Sequence, residues 1–110
     1  MMLSTVSATA DEVRVIDGDT LAVGEQHYRL SGIDAPEAGQ NCNAANGREW
    51  QCGDEATRYL SNLVSGKNVT CIGNVRDDYD RVLATCRAGD VDLNEAMVEA
   101  SLAWAFRRYS

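Results

Sequence analysis

Hydrophobic and polar residues alternate along residues 12–17, EVRVID, and similar short apolar segments follow as far as residue 33. Alternation of this kind is typical of a β-strand that buries one face. Turn-forming sequences, Gly-Asp and then Gly-Glu-Gln, separate the segments. The pattern therefore predicts three strands in a meander, over residues 12–17, 20–24 and 27–33.

Two later segments have helical spacing instead. The apolar residues of 54–65 form one stripe, with Asp54 suited to the N-cap and Gly66 to the C-terminal end. Residues 93–105 carry a second apolar stripe behind a capping-box-like start at Asp92. The apolar segments between the two helices predict two further strands, over residues 68–74 and 81–88.

These elements predict a single, mainly antiparallel α+β domain over residues 11–110. The ten residues before it, MMLSTVSATA, end in Ala-Thr-Ala, which is typical of a signal-peptide cleavage site. No Lys or Arg precedes this site, so the signal is incomplete. We expect residues 1–10 to be a residual signal-peptide tail or a disordered leader.

A long polar stretch, residues 38–52, separates the strands from the first helix and is rich in Asn and Gly. Loops of this length are uncommon in small domains and are often functional or held by a cross-link. Cys42 and Cys52 lie near its two ends, and a disulfide between them would hold it. Cys71 and Cys86 lie on the predicted hairpin and form the other expected pair, although sequence alone permits either alternative pairing.

The cysteine spacing argues for disulfides rather than zinc, because no Cys-x-x-Cys pair is present. Disulfides persist in oxidising compartments, so a secreted or periplasmic protein is expected. The net charge of −7 excludes a protein that binds nucleic acid through a broad basic surface. No apolar run approaches the length of a membrane span, and no membrane partner is expected. Any phosphate chemistry must therefore depend on a local site.

Two acidic motifs are the candidates for such a site. Asp19 follows Gly18 in a predicted hairpin turn, and Asp34 and Glu37 flank Pro36, the only proline. Each motif alone is an ordinary turn, but hairpin folding would bring the two together. Two carboxylates, a backbone carbonyl and water suit a hard cation.

Two arginines lie near these acids in the sequence. Strict strand alternation would place Arg29 and Asp34 on opposite faces, so they share a site only if the chain bends, for which Gly32 is suited. Arg81 ends a polar turn, DDYDR, which taken alone is an ordinary solvated turn.

Five segments together resemble the staphylococcal nuclease family. They appear in the family's order, at compatible spacing, over about residues 13–106. The segments are VIDGDTL, YRLSGIDAPE, GDEATRYLSNLVSGKNV, DDYDRVLATC and DLNEAMVEASLAWA.

The resemblance implies an OB-fold, a five-stranded barrel with two packed helices. It also implies a Ca²⁺-dependent endonuclease that cleaves DNA and RNA, preferably single-stranded or flexible, and leaves 3′-phosphates. By position, it implies calcium ligation by Asp19, Asp34 and the Ala35 carbonyl, with Glu37 as general base. It further implies that Arg29 and Arg81 hold the scissile phosphate and that Tyr79 lies near it.

The sequence departs from the family at Asp80, where the family usually has glycine. A glycine there often supplies positive φ, which Asp tolerates second best. Asp80 would also place an acid beside Arg81. The best-known relatives continue past the position of Ser110 into a third helix. We expect a monomer, with a dimer as the alternative if apolar surface that such a helix would cover is exposed.

Two other functions are compatible with parts of the pattern. One is a binding module of the same fold without catalysis, and the other is an extracellular Ca²⁺-binding interaction domain. Degenerate copies of the family lose the acids and arginines, and this chain keeps all of them, which favours the enzyme.

Overall fold

The computed structural model describes residues 4–9 and 12–105. It contains eleven strands, several of only two residues, and two helices. In chain order these are β1 (Ser4–Ala8), β2 (Val13–Asp17), β3 (Thr20–Val23), β4 (Gln26–Leu30), β5 (Ile33–Asp34), β6 (Cys42–Asn43), β7 (Glu49–Trp50), α1 (Cys52–Val64), β8 (Val69–Arg76), β9 (Val82–Ala88), β10 (Val91–Asp92), α2 (Leu93–Glu99) and β11 (Trp104–Ala105).

The main sheet has the order β1-β8-β9-β4-β3-β2, with β10 added beside β9. β4 and β9 run parallel, whereas the other neighbours are antiparallel. β1 and β2 occupy opposite ends of this order, yet only residues 9–12 separate them in sequence, so the sheet must curl. The predicted α+β, mainly β fold is confirmed as an OB-like half-barrel with two helices.

The core lies between the concave side of this sheet and the helices. Its largest fully buried side chains come from β3, β4, α1 and α2, and each contributes about 1.5–3 kcal/mol by leaving water. They include Leu21, Leu30, Leu60, Leu93 and Met97. Among the described residues, no helix is long and apolar enough to cross a membrane.

The amino-terminal segment differs from the prediction. Ser4–Ala8, expected to lie in a leader outside the fold, pair with β8 as an edge strand. The pairing runs from Ser4 opposite Gly73 to Ala8 opposite Val69, and Thr5 and Val6 are of the β-branched types that favour strands. Cleavage near Ala10 stays a prediction.

Both expected disulfides are present. Cys71 and Cys86 are directly opposite each other in the β8–β9 ladder, so the bond crosses one hairpin. Cys42 and Cys52 join the two ends of the polar stretch before α1. That stretch is not all loop, because β6 and β7 form a small hairpin within it.

The helix bounds differ from the predicted ones at three ends. α1 begins at Cys52 with Gln51 as its N-cap, because Asp54 accepts a bond from Gly39 N instead of capping. α1 ends at Val64, one residue before the predicted end. The Asp92 cap of α2 is confirmed, since its carboxylate accepts from Glu95 N.

α2 ends at Glu99, six residues before its predicted end. Ser101 adopts a φ of 62°, Ser101 N donates to Val98 O, and Leu102 N donates to Met97 O. These paired bonds are the Schellman arrangement, which usually has glycine at the left-handed position. The chain then turns into β11, which pairs with β5.

Candidate active site

Asp19 lies at the end of the β2–β3 turn and is only 6% exposed. Its Oδ1 accepts a hydrogen bond from Thr20 Oγ1 at 2.9 Å, and its Oδ2 accepts one from Ala35 N at 3.0 Å. A buried carboxylate needs such donors, since burial without partners would favour its neutral form. The second bond also joins the β2–β3 turn to the segment that contains Asp34.

Arg29 brings the two candidate metal ligands together. Gly32 has a φ of 80°, and the chain turns there between β4 and β5, which is the bend that the sequence required. Arg29 Nη1 donates to Ile33 O at 2.8 Å, while Nη2 lies 3.1 Å from Asp34 Oδ1 and 3.4 Å from Asp19 Oδ2. One guanidinium nitrogen therefore contacts both carboxylates.

The segment Ile33–Gln40, here called the Pro36 corner, carries Glu37. The Glu37 backbone is fixed through Gln40: Glu37 N donates to Gln40 Oε1 at 3.1 Å, and Gln40 N donates to Glu37 O at 2.9 Å. Glu37 itself is exposed. The corner thus presents the Glu37 carboxylate to solvent from a fixed backbone.

The first turn of α1 is hydrogen-bonded to the Pro36 corner. Gly53 N donates to Gln40 O at 3.0 Å, and a Cβ at Gly53 would overlap Glu37 O. Only glycine permits this approach of two backbones. The Cys42–Cys52 disulfide ends one residue before Gly53, so it attaches the polar hairpin to the same support.

Arg81 lies at the end of the turn Asp77–Arg81, here called the Arg81 turn. Its Nε donates to Asp77 Oδ2 at 2.7 Å, and its Nη1 lies 3.5 Å from Thr20 Oγ1. Because Thr20 also donates to Asp19, the Arg81 guanidinium faces the same site as Arg29. The turn and the corner therefore contribute to one location.

The Asp77 carboxylate organises the whole turn. Besides the guanidinium bond, its Oδ1 accepts from Tyr79 N at 2.9 Å and Arg81 N at 3.0 Å. Burial works to raise the pKa of Asp77, but the hydrogen bonds and charge from Arg81 and the bond from Tyr79 outweigh it. The pKa of Asp77 therefore lies below its ordinary value.

Tyr79 and Asp80 complete this turn. The Tyr79 ring is 80% exposed and lies 5.3 Å from Arg81 Cζ, a cation–π contact. Asp80 has a φ of 62°, which confirms the strained position expected where the family has glycine. Its carboxylate pairs with Arg76 at 3.1 Å, so the acid beside Arg81 is Asp77 and not Asp80, contrary to the sequence expectation.

A sequence model of the staphylococcal nuclease homologues matches residues 27–110. The chain belongs to the staphylococcal nuclease family. An uncharacterized endonuclease of Haemophilus influenzae is 35% identical over 107 residues, covering 93% of this chain and 54% of that protein. Micrococcal nuclease of Shigella flexneri is 32% identical over 126 residues, covering 99% and 67%.

Another relative is named for a different role. The succinoglycan biosynthesis protein ExoI of Rhizobium meliloti is 35% identical over 91 residues, covering 81% of this chain and 48% of that protein. The chain thus spans about half the length of two of these curated relatives.

The oxygen donors that the structure brings together here are of the kind that a hard cation prefers. Asp19 and Asp34 provide carboxylates, and the Ala35 backbone is held against Asp19. Within residues 4–9 and 12–105, no three His, Cys, Asp or Glu side chains cluster closely enough to form a metal cage. Two carboxylates and one carbonyl would leave the remaining positions to water, as in an open Ca²⁺ site.

Sequence reasoning missed the supporting residues. It interpreted Asp77 as part of a solvated turn and assigned Asp54 to helix capping, although each instead holds a site segment. The i to i+4 spacing of Asp77 and Arg81 was the sequence signal from which the Asp77–Arg81 contact could have been predicted. Thr20 and Gln40 act through contacts that form only in the folded chain, and no local pattern marks them.

Proposed function

We propose that this chain is a Ca²⁺-dependent phosphodiesterase that hydrolyses DNA and RNA to products with 3′-phosphates. The observation that carries the proposal is Arg29, whose Nη2 contacts both Asp19 and Asp34 beside the Pro36 corner. A guanidinium held between two carboxylates in this way marks where a phosphate oxygen and a divalent ion would meet. The nuclease names of two relatives support the same reaction class.

Asp19, Asp34 and the Ala35 carbonyl would hold the ion. When bound, Ca²⁺ supplies positive charge beside the phosphate and orients water. The chain itself prepares the ligands, because Thr20 and Ala35 N fix both oxygens of Asp19 before any ion arrives. This arrangement reduces the ordering needed on binding.

Glu37 is the proposed general base. It would accept a proton from the water that attacks phosphorus as the bond to the 5′ oxygen breaks, leaving the phosphate on the 3′ oxygen. Proton transfer of this kind contributes typically about 10²- to 10⁴-fold in rate. Glu37 suits the role because its carboxylate is exposed while Gln40 and Gly53 fix its backbone.

Arg29 and Arg81 would stabilise the charge that develops on the phosphate. Both guanidinium groups are oriented in advance, Arg29 by the Ile33 carbonyl and Arg81 by Asp77. Arginine forms paired, charge-assisted bonds to phosphate oxygens, which a lysine ammonium does not reproduce. Tyr79 covers Arg81 and would lie beside the same phosphate.

The cellular setting follows from the disulfides. Two disulfide bonds in a domain of this size favour a secreted or periplasmic location, where they persist. The proposed enzyme works there as a monomer, which sedimentation equilibrium at several concentrations would test.

The deciding experiment measures release of acid-soluble nucleotides from single-stranded DNA, with Ca²⁺, with Mg²⁺ or with chelator. We expect cleavage with Ca²⁺ alone, and loss of at least about a hundredfold in Glu37→Gln. Glu12→Gln, another exposed acid distant from the corner in sequence, is the matched control and should cleave normally. Equal cleavage by Glu37→Gln and wild type would refute the base assignment. Nucleic-acid binding without cleavage in Ca²⁺ would show a non-catalytic module instead.

A further inference from the structure

The two tryptophans of the chain lie on one groove beside the Pro36 corner. Trp50 is 38% exposed and Trp104 is 61% exposed. The groove has a volume of about 130 Å³, and Pro36 and Leu102 also line it. Two large, exposed aromatic rings on one concave surface are uncommon in a small domain and mark an interaction site.

Strand register places this groove next to the proposed reaction centre. Trp104 is directly opposite Asp34 in the β5–β11 pair. Directly opposite residues project to the same face, with Cβ atoms about 4.5–5.5 Å apart. Pro36 belongs to both the groove and the corner that carries Glu37. A ligand extending past the two arginines on this side would therefore meet the indole rings.

The charge of the protein indicates what kind of contact is needed. A net charge of −7 disfavours binding of a nucleic acid through a broad set of phosphate contacts. Base–aromatic stacking supplies affinity without positive charge and tolerates any sequence, since every base has a π-face. The Trp50–Trp104 groove offers such faces where a strand would leave the site.

We propose that the Trp50–Trp104 groove is a stacking subsite for one unpaired nucleobase next to the scissile phosphate. The inference rests on the proposed function only for the position of that phosphate. It predicts a preference for single-stranded substrates, because a paired base is already stacked within its duplex and its faces are covered.

Trp50 and Trp104 are the only tryptophans in the chain, so tryptophan fluorescence reports directly on the groove. Selective excitation of tryptophan in Glu37→Gln with Ca²⁺ reports this groove while cleavage is suppressed. We expect quenching by a short single-stranded oligonucleotide and none by an abasic oligonucleotide of equal length. Equal quenching by the two, or none by either, would overturn the proposal. A change in emission with protein concentration alone would also overturn it, since a second copy would then cover the groove.

Steady-state kinetics on the wild-type background give a second test. Trp104→Ala should raise KM for single-stranded DNA about fivefold or more, the lower end expected for one lost stacking contact, and leave kcat within about twofold. Trp104→Phe should recover most of this loss. Tyr59→Ala is the matched control, an aromatic of 36% exposure on α1 that does not line the groove. An unchanged KM in folded Trp104→Ala would refute the subsite.

The outcomes separate the subsite from the reaction. Cleavage without base-dependent quenching would leave the nuclease assignment standing and remove the subsite. Base-dependent quenching without cleavage would keep the subsite and remove the hydrolytic function. Thermal unfolding of each variant checks folding, and the kinetics are compared at a temperature where every variant is folded.

Discussion

The Pro36 corner and the Arg81 turn serve one site but are held in different ways. Three backbone N–H groups of the corner donate to the carboxylates of Asp17 at the end of β2, Asp19 in the β2–β3 turn and Asp54 in α1. The Arg81 turn is held mostly by bonds within itself, three to the Asp77 carboxylate and two between its own backbone groups, with a further bond from Gln26 Nε2 to Asp80 O. The corner is therefore part of the tertiary structure, whereas the turn is a local structure attached to it.

This difference predicts which changes affect the stability of the protein and which affect its activity. The bonds of the corner join residues 15 to 21 positions apart, so breaking them disturbs packing between elements. The Asp77 bonds join residues 2 to 4 positions apart, so breaking them disturbs the turn alone. Changes in the corner should impair both fold and catalysis, and changes that release Arg81 from the turn should impair catalysis with a smaller effect on stability.

The two arginines give the largest expected contrast. Arg29→Ala and Arg81→Ala should each lower kcat/KM by about 10²- to 10³-fold, because each removes a donor to the developing charge. Arg29→Ala should also lower the free energy of unfolding by about 1–3 kcal/mol, since it leaves the buried Asp19 carboxylate short of a partner, and Arg81→Ala should lower it less because Asp77 keeps two backbone donors.

Urea unfolding and kinetics on the same preparations would measure both effects. Arg58→Ala is the matched control, because Arg58 forms an exposed ion pair on α1 away from both segments. Its effect on either quantity should be small. If Arg81→Ala destabilised the protein as much as Arg29→Ala, the distinction between corner and turn would be wrong.

The two disulfides extend the contrast. Replacing either pair by serines should remove about 3 kcal/mol in the chain-entropy model, since the closed loops are similar, with separations of 10 and 15 residues. The Cys71–Cys86 replacement should cost more than this, because its two serine hydroxyls would be buried in the core. Loss of Cys42–Cys52 should also reduce kcat at a temperature where both variants are folded, because that bond adjoins the support of Glu37. Loss of Cys71–Cys86 should leave kcat unchanged. Equal kcat values in the two variants would show that the corner does not need its disulfide.

The sequence was sufficient to predict the strands that carry this site but not the hydrogen bonds that hold its segments in place. Alternation and turn signals are local properties, and they predicted β2, β3, β4, β8 and β9, although β4 ends at Leu30 and not at residue 33. The bend at Gly32 followed from requiring Arg29 and Asp34 to share a site. The expected Asp54 cap failed because a long-range partner, Gly39 N, recruits that carboxylate.

The predicted end of α2 was wrong for a related reason. Apolar spacing continues past Glu99 and predicts a helix to residue 105. The helix ends earlier because Ser101 adopts the left-handed conformation, a position usually marked in the sequence by glycine. Pairing of β11 with β5 then stabilises the extended form. Tertiary pairing decides such cases, and it placed Trp104 opposite Asp34.

Asp77→Asn tests the turn through pH. Because the folded-state pKa of Asp77 lies below its ordinary value of 3.8, its carboxylate stabilises the fold above that pH. This contribution is lost as pH falls below 3.8 through the folded-state pKa. The asparagine amide would keep an acceptor but no charge, so the fall in unfolding free energy over that window should become shallower. At neutral pH we expect kcat/KM to fall about tenfold, as Arg81 loses its charged partner.

Asp78→Asn is the control for this experiment, because Asp78 is the exposed neighbour of Asp77 in the same turn. It should leave both the acid profile and kcat/KM near wild type. An Asp77→Asn profile that superimposes on wild type would show that the turn is held by its backbone and not by the carboxylate.

Asp80→Gly should have the smallest effect, and it tests whether the turn is strained. Asp80 holds a φ of 62°, where glycine has no penalty and other residues lose about 1 kcal/mol. The change also removes an exposed ion pair with Arg76, which is worth little. We expect a gain in unfolding free energy of less than about 1 kcal/mol, with kcat unchanged because Arg81 keeps Asp77. Arg76→Ala isolates the ion pair and should be near neutral. A loss of stability in Asp80→Gly would mean that the pair with Arg76, and not the backbone, determines the shape of the turn.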